Sequence, residues 1–203
     1  MLFRSTKPLL LSVIISNDED KPKEVKIIIK HDEALRKERI VSCLISLLQF
    51  KLYQQATRRR MEMFEPIPTY EIIMISKNIG IIEYVEESIT LRKINDMGLS
   101  LQNYVLENNP KEKIETTKRR FLQSLAISSC LSYILGLGDR HLDNIMINKR
   151  GQIFHIDYGY LLEEPTNMLE LPNIKITNIM VDFLGGYNGS DYIEFKTYTS
   201  KTY

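Results

Sequence analysis

Residues 136–160 read GLGDRHLDNIMINKRGQIFHIDYGY and hold two of the chain's three histidines, His141 and His155, with Asp139, Asn144 and Asp157 beside them. Between the two polar clusters, I-M-I-N at 145–148, a Lys149-Arg150-Gly151 turn and the alternating Q-I-F-H-I-D at 152–157 predict a β-hairpin, with Gly151 able to take positive φ. Antiparallel strands joined by a short turn bring their far ends to about 5 Å, so Asn144 and Asp157 are expected to be neighbours. An amide oxygen and a carboxylate offered to one spot are hard ligands, suited to Mg²⁺ when a triphosphate supplies most of its other oxygens. Asp139 and His141, on a loop just upstream, then face the same ion. The chemistry this suits is phosphoryl transfer, in which a protein mainly positions groups and neutralises charge.

Taken singly, each residue has an ordinary explanation. An Asp-Arg-His triplet is more often a salt-bridged surface turn than a site, and a histidine in the position of His155 is more often a hydrogen-bonded core residue. The joint pattern D-R-H-x-x-N, hairpin, H-I-D-Y-G is more specific. It resembles the catalytic and metal-binding segments of the phosphatidylinositol 3- and 4-kinase superfamily, which includes the large protein kinases related to those enzymes. Ordinary protein kinases carry H-R-D and D-F-G instead. Tyr158 stands where the superfamily has Phe; it keeps the ring and adds a hydroxyl that needs a partner.

The elements that must position these residues are legible from patterning. The chain has 203 residues and 43% hydrophobic content, enough for one domain in two parts with a sizeable core. Its net charge of +1 gives no general preference for nucleic acid. Cys43 and Cys130 lie in apolar helical patterns and read as buried free thiols in a reducing compartment, which implies a cytoplasmic setting. The N-terminal MLFRSTKPLLLSVIIS has the basic start of a secretory signal, but its apolar run is short, broken by Ser12, and lacks a small-residue cleavage site, so it reads as loop and strand. No stretch reaches the roughly 18 apolar residues of a membrane span, so any membrane contact is expected to be peripheral.

Strands are expected at Leu9 to Ser16, Val25 to Lys30, Tyr70 to Ser76 and Gly80 to Tyr84. Helices are expected at Asp32 to Gln55, Ser100 to Leu106 and Glu112 to Leu135, the first burying Leu35, Val41, Leu44, Ile45, Leu48 and Leu52 on one face. This order of strands, then helices, predicts an α+β fold, a small antiparallel sheet lobe on a larger helical lobe with a cleft between them. On the kinase resemblance the lobes are residues 1–83 and 84–203, the fold is bilobal and protein-kinase-like, and the cleft holds ATP.

The same resemblance extends to other segments. KIIIKHDEALRKE is similar to the family's strand ending in Lys followed by G-D-D-L-R-Q-D/E. It implies that Lys30 contacts nucleotide phosphates and that Glu38 holds Lys30 by an ion pair, although His31-Asp32-Glu33 replaces a glycine-containing sequence and Lys37 replaces Gln. No glycine precedes Gly80, so neither a Walker A loop nor a protein-kinase glycine loop is present. FRSTKPLLL resembles the superfamily's Ser- and Lys-containing loop and would place Ser5 and Lys7 on the terminal phosphates. PTYEIIMISKNIGIIEYVEESITL is similar to the strands leading into the hinge; by that match the Glu83 carbonyl and Val85 amide bind adenine, and Tyr70 and Ile82 line the pocket. Asp157 and Asn144 would bind Mg²⁺, or Mn²⁺, and Asp139 or His141 would orient or deprotonate the acceptor. Arg140 reads as a structural partner for a carboxylate.

Three functional readings follow. The tail IKITNIMVDFLGGYNGSDYIEFKTY, with Thr177 as helix N-cap and Gly185-Gly186 as a helix stop, resembles the lipid-kinase branch and favours a phosphatidylinositol kinase of the 4-kinase type. GLGDRHLDN resembles the serine/threonine protein-kinase branch. An inactive nucleotide-binding scaffold is the third. The activation segment, Asp157 to about Thr177, has Glu163, Glu164 and Glu170 and no Lys or Arg between Tyr160 and Ile174, which disfavours head groups already carrying phosphates. The first strand of the family's small lobe, its terminal large-lobe helices and its accessory domains find no counterpart, so a protein partner is expected over the surface those helices cover. The basic runs 58–60 and 118–120 read as solvated helix faces, with anionic lipid as the alternative.

Overall fold

The computed structural model describes residues 7–16, 22–59, 65–160 and 175–202. It is an α+β fold built from two antiparallel sheets and six helices among those residues. The first sheet has the order β1-β2-β4-β3, from β1 (Leu9–Ile15), β2 (Lys23–His31), β3 (Ile72–Met74) and β4 (Ile79–Glu83). Its register sets Leu9 opposite Ile29 and Lys30 opposite Gly80, so Lys30 sits near the end of a strand paired on both edges.

Helix α1 (Leu35–Arg59) follows β2 directly. It starts three residues later than the pattern suggests because the Asp32 carboxylate accepts from the Ala34 amide at 2.9 Å, a side-chain turn that delays the helix. Leu35, Val41 and Ile45 are buried against Tyr70, Ile72 and Ile82, with Leu48 and Leu52 packed at the margin. Leu44 does not belong to that face: it is exposed together with Ile40, Leu47 and Phe50. Cys43 is exposed too, against the expectation of a buried thiol, whereas Cys130 is buried and its thiol pKa raised by that burial. Both cysteines are free.

The second sheet is β5 (Ser88–Thr90), β6 (Ile145–Asn148) and β7 (Ile153–His155), in that order. The last two form the expected hairpin, Ile145 opposite His155, with Gly151 at φ +87° in its turn. β5 and the short α2 (Leu91–Asp96) were not legible in the pattern, being three and six residues long. Thr90 caps α2 by accepting from the Lys93 amide at 3.2 Å. α3 (Leu101–Asn108), α4 (Ile114–Ile134), α5 (Asn178–Phe183) and α6 (Ser190–Thr202) are the remaining helices among the described residues.

Two apolar clusters result. One joins α2, α3, α4, the hairpin and α5 through residues such as Leu91, Val105, Phe121, Ile147 and Phe183. The other joins the first sheet and α1 to the far end of α4 through Ile127, Leu131, Leu137, Phe154 and Tyr158. Helix α4 therefore contributes to both, which explains why its burial runs almost without a break from Arg120 to Ser132. Its basic run is solvated only in part: Arg119 is exposed, Lys118 pairs with Asp191 of α6 at 2.9 Å, and Arg120 is buried between Glu65 and Glu112. Of the other basic run, Arg60 lies outside the described residues. Among the described residues no helix is long and apolar enough to cross a membrane.

Candidate active site

The end of β2, the first turns of α1 and the segment after β7 converge on Lys30. Its ammonium lies 3.1 Å from Asp32, 3.5 Å from Glu38 and 3.6 Å from Asp157. Burial alone would lower the lysine pKa, but the three carboxylates outweigh it and raise it. Glu38 is almost closed to water, and burial raises its carboxyl pKa in spite of Lys30. Its other oxygen accepts from the Tyr70 hydroxyl at 2.8 Å. The Tyr70 hydroxyl in turn accepts from the Asp157 amide at 3.3 Å. Lys30, Glu38, Tyr70 and Asp157 thus form a closed polar circuit.

Of the three carboxylates beside Lys30, the Asp157 side chain is 47% exposed, that of Asp32 22% and that of Glu38 5%, so Asp157 is the one most open to a ligand from solvent. Asn144 stands beside it: the Ile156 amide donates to the Asn144 carbonyl at 3.1 Å, continuing the hairpin ladder by one pair. The Asn144 side-chain NH₂ donates to the Asp139 carbonyl at 2.9 Å, which leaves its amide oxygen as the end that can meet a cation. Among the described residues no group of three or more His, Cys, Asp or Glu forms a metal cage by itself. One carboxylate and one amide oxygen fit an ion that takes its remaining oxygens from phosphates and water.

Asp139 and Asp157 both adopt left-handed backbone conformations, φ +55° and +57°. That conformation is uncommon outside glycine and marks sites held by their surroundings. Here the holder is Arg140. Its guanidinium donates to the carbonyls of Gly138 (2.7 Å), Ile156 (2.9 Å) and Asp157 (2.5 Å), and lies 5.9 Å from the Tyr158 ring. The expected carboxylate partner is therefore replaced by three backbone oxygens, two of them across the hairpin. His141 is half-exposed, with Nε2 3.8 Å from Asp139 and Nδ1 accepting from the Asp143 amide at 3.2 Å. His155 is the core histidine anticipated: its Nδ1 meets the Ser132 hydroxyl at 3.0 Å, and burial, helped by Arg140, pushes its pKa down to about 3.

Other predicted residues are more dispersed. Ser5 and the segment 161–174, with Glu163, Glu164 and Glu170, lie outside the described residues. Lys7 is exposed just ahead of β1, whose register places that end beside His31. Tyr70 and Ile82 are 4% and 7% exposed and belong to the core between the first sheet and α1. Glu83 ends β4, and the Val85 carbonyl accepts from Ser88 Oγ at 2.5 Å. Asp32, nearer to Lys30 than Glu38 is, was passed over as a departure from the family sequence; its place two residues beyond Lys30 was the available signal.

A model of the phosphatidylinositol 3- and 4-kinase family matches residues 95–203. Over 178 residues, 85% of the chain, it is 32% identical to phosphatidylinositol 4-kinase beta of Xenopus laevis. It is 28% identical over 210 residues, the whole chain, to a phosphatidylinositol 3-kinase of Schizosaccharomyces pombe, and 29% identical over 88% of its length to the root isoform of a Glycine max phosphatidylinositol 3-kinase. The chain belongs to the phosphatidylinositol 3- and 4-kinase family. It spans 25%, 22% and 21% of the length of the yeast, soybean and frog proteins.

Proposed function

We propose that this chain is the catalytic part of a phosphatidylinositol kinase, transferring the γ-phosphoryl of ATP to a hydroxyl of the inositol ring. The observation that carries the reading is the circuit of Lys30, Glu38, Tyr70 and Asp157, with Asn144 one ladder position away. It offers one cation to phosphate oxygens and two hard oxygens to a metal at the same place.

In this reading residues 1–83 form one lobe, residues 84–203 the other, and the nucleotide lies between them. Lys30, held by Glu38, neutralises phosphate oxygens, and Ser5 and Lys7 approach the terminal phosphates. The Glu83 carbonyl and Val85 amide read adenine, with Tyr70 and Ile82 behind it. Asp157 and Asn144 would hold Mg²⁺ or Mn²⁺, which when bound would supply positive charge to phosphate oxygens. Asp139 and His141, 3.8 Å apart, act as one unit that orients the acceptor hydroxyl and takes its proton. Contact with phosphatidylinositol is peripheral, at a cytoplasmic membrane surface.

The 4-hydroxyl is the acceptor we favour, supported by the tail pattern after Thr177 and by identities of 31 to 32% with the 4-kinase beta relatives against 28 to 29% with the 3-kinases. The test supplies purified wild-type protein and Asp157→Ala with labelled ATP, Mg²⁺, phosphatidylinositol vesicles and, in parallel, a basic serine peptide. Label in lipid with wild type only is the expected result, and separation of the head groups identifies the ring position. Label confined to peptide moves the chain to the protein-kinase branch. Label in neither, with nucleotide still bound, makes it a scaffold.

A further inference from the structure

Tyr158 departs from the family's phenylalanine, and its extra hydroxyl is not idle. It donates to the His155 carbonyl at 2.6 Å, closing a loop of backbone around Asp157. The ring is buried, lies parallel to that of Tyr70 at 6.0 Å with 3° between planes, and faces the Arg140 guanidinium. Asp157, inside this loop, holds a left-handed conformation at φ +57°, uncommon for a non-glycine residue and costly unless its neighbours support it. We infer that Tyr158 is a positioning residue, its hydroxyl a latch that fixes the 155–158 turn and with it the direction of the Asp157 carboxylate. This rests on the reading of Asp157 as a metal ligand.

The variant is Tyr158→Phe, which keeps the ring, the stack and the volume. Hydrogen exchange, followed by mass spectrometry on the free proteins, reads the latch without nucleotide or turnover. The expected result is about fivefold faster exchange in the peptide spanning 153–160, the size of one ordinary hydrogen bond, with peptides of α4 and β2 unchanged. Binding of a fluorescent ATP analogue is then titrated with Mg²⁺. The half-saturating Mg²⁺ concentration is expected to rise by about the same factor, whereas binding without metal stays unchanged. Equal exchange in the two proteins overturns the inference. So does faster exchange with an unaltered Mg²⁺ midpoint, which would make the hydroxyl a packing feature alone. A wild-type protein that binds no nucleotide at any Mg²⁺ concentration overturns the kinase reading instead; it shows in the control, and the exchange comparison still decides the latch.

Discussion

The hydroxyl of Tyr70 donates to the carboxylate of Glu38 at 2.8 Å, across 32 positions of the chain. The contact joins α1 to the segment before β3, and Tyr70 also takes the Asp157 amide. The glutamate that holds Lys30 is thus itself held by a residue that also touches the Asp157 backbone. A disturbance at any one of these groups is felt by the others.

The first prediction concerns Lys30 and Glu38. Removing one partner of a buried pair leaves an uncompensated charge, at a cost of about 3 kcal/mol, while removing both is far milder. Lys30→Met is expected to destabilise by about that much and to stop phosphoryl transfer. Glu38→Gln keeps the Tyr70 contact, and Lys30 retains Asp32 and Asp157, so its stability loss is expected to stay under about 1 kcal/mol. The double variant should recover most of the stability and none of the activity. Denaturant unfolding of the four proteins measures the coupling; additive losses would show that the pair is not energetically linked. The Lys30→Met deficit should also shrink as pH falls through the raised Glu38 pKa, because protonation removes the stranded charge.

His155 gives a prediction in pH. Its folded pKa is pushed down to about 3 from 6.5, so the unfolded chain takes up a proton that the folded chain refuses. Stability is therefore complete above about pH 6.5 and falls by ~1.4 kcal/mol per pH unit below it, about 2 kcal/mol by pH 5. His155→Gln, which keeps a hydrogen-bonding group near Ser132, should flatten that slope while lowering the plateau. Thermal melts of both proteins from pH 5 to 8 decide it; parallel curves would place the acid sensitivity elsewhere.

How far these relationships could be read in advance varied with their range along the chain. The hairpin, and hence the closeness of Asn144 to Asp157, followed from a tight turn between alternating segments. The Lys30–Glu38 pair followed from the family resemblance, as eight positions from strand end to helix do not specify a contact. Tyr70 was assigned to the pocket, but its contacts with Glu38 and Tyr158 depend on packing between segments remote in sequence. Leu44 and Cys43 were placed inside because α1 is apolar around much of its circumference, so periodicity there does not choose a face. Arg140 was expected to seek a carboxylate; three converging carbonyls leave no pattern in the side chains.

Arg140 supplies the next prediction. Its planar fork serves three carbonyls in two segments, Gly138 on one side and the consecutive Ile156 and Asp157 on the other, and a lysine ammonium on a flexible stem cannot reach them in that geometry. Arg140→Lys is expected to cost about 3 kcal/mol, two lost charge-assisted hydrogen bonds in a buried place. The loss should concentrate at Asp139 and Asp157, whose left-handed turns it ties together. Exchange of the 138–141 and 155–158 amides should accelerate together; acceleration at one segment alone would show that the two turns are held independently.

The last prediction separates the two oxygens proposed to hold the metal. Asp157 contributes a charge and Asn144 a neutral amide oxygen, so their removal should differ in kind. Asp157→Asn keeps shape and hydrogen-bonding capacity but loses the carboxylate, and turnover is expected to fall by about 10³-fold, the size of several kcal/mol of charge stabilisation. Raising Mg²⁺ should recover little of it. The substitution also removes one of the three carboxylates around Lys30, so the lysine pKa should fall towards its ordinary value. Asn144→Asp, in contrast, keeps an oxygen donor and adds charge: its Mg²⁺ requirement should drop, yet its former NH₂ no longer supports the Asp139 carbonyl, and kcat should fall with it. Steady-state rates across a Mg²⁺ series distinguish the two patterns. If both variants shifted only the Mg²⁺ midpoint and reached the wild-type rate at saturation, neither oxygen would contribute beyond holding the ion, and the link from Asn144 to Asp139 would carry no catalytic weight.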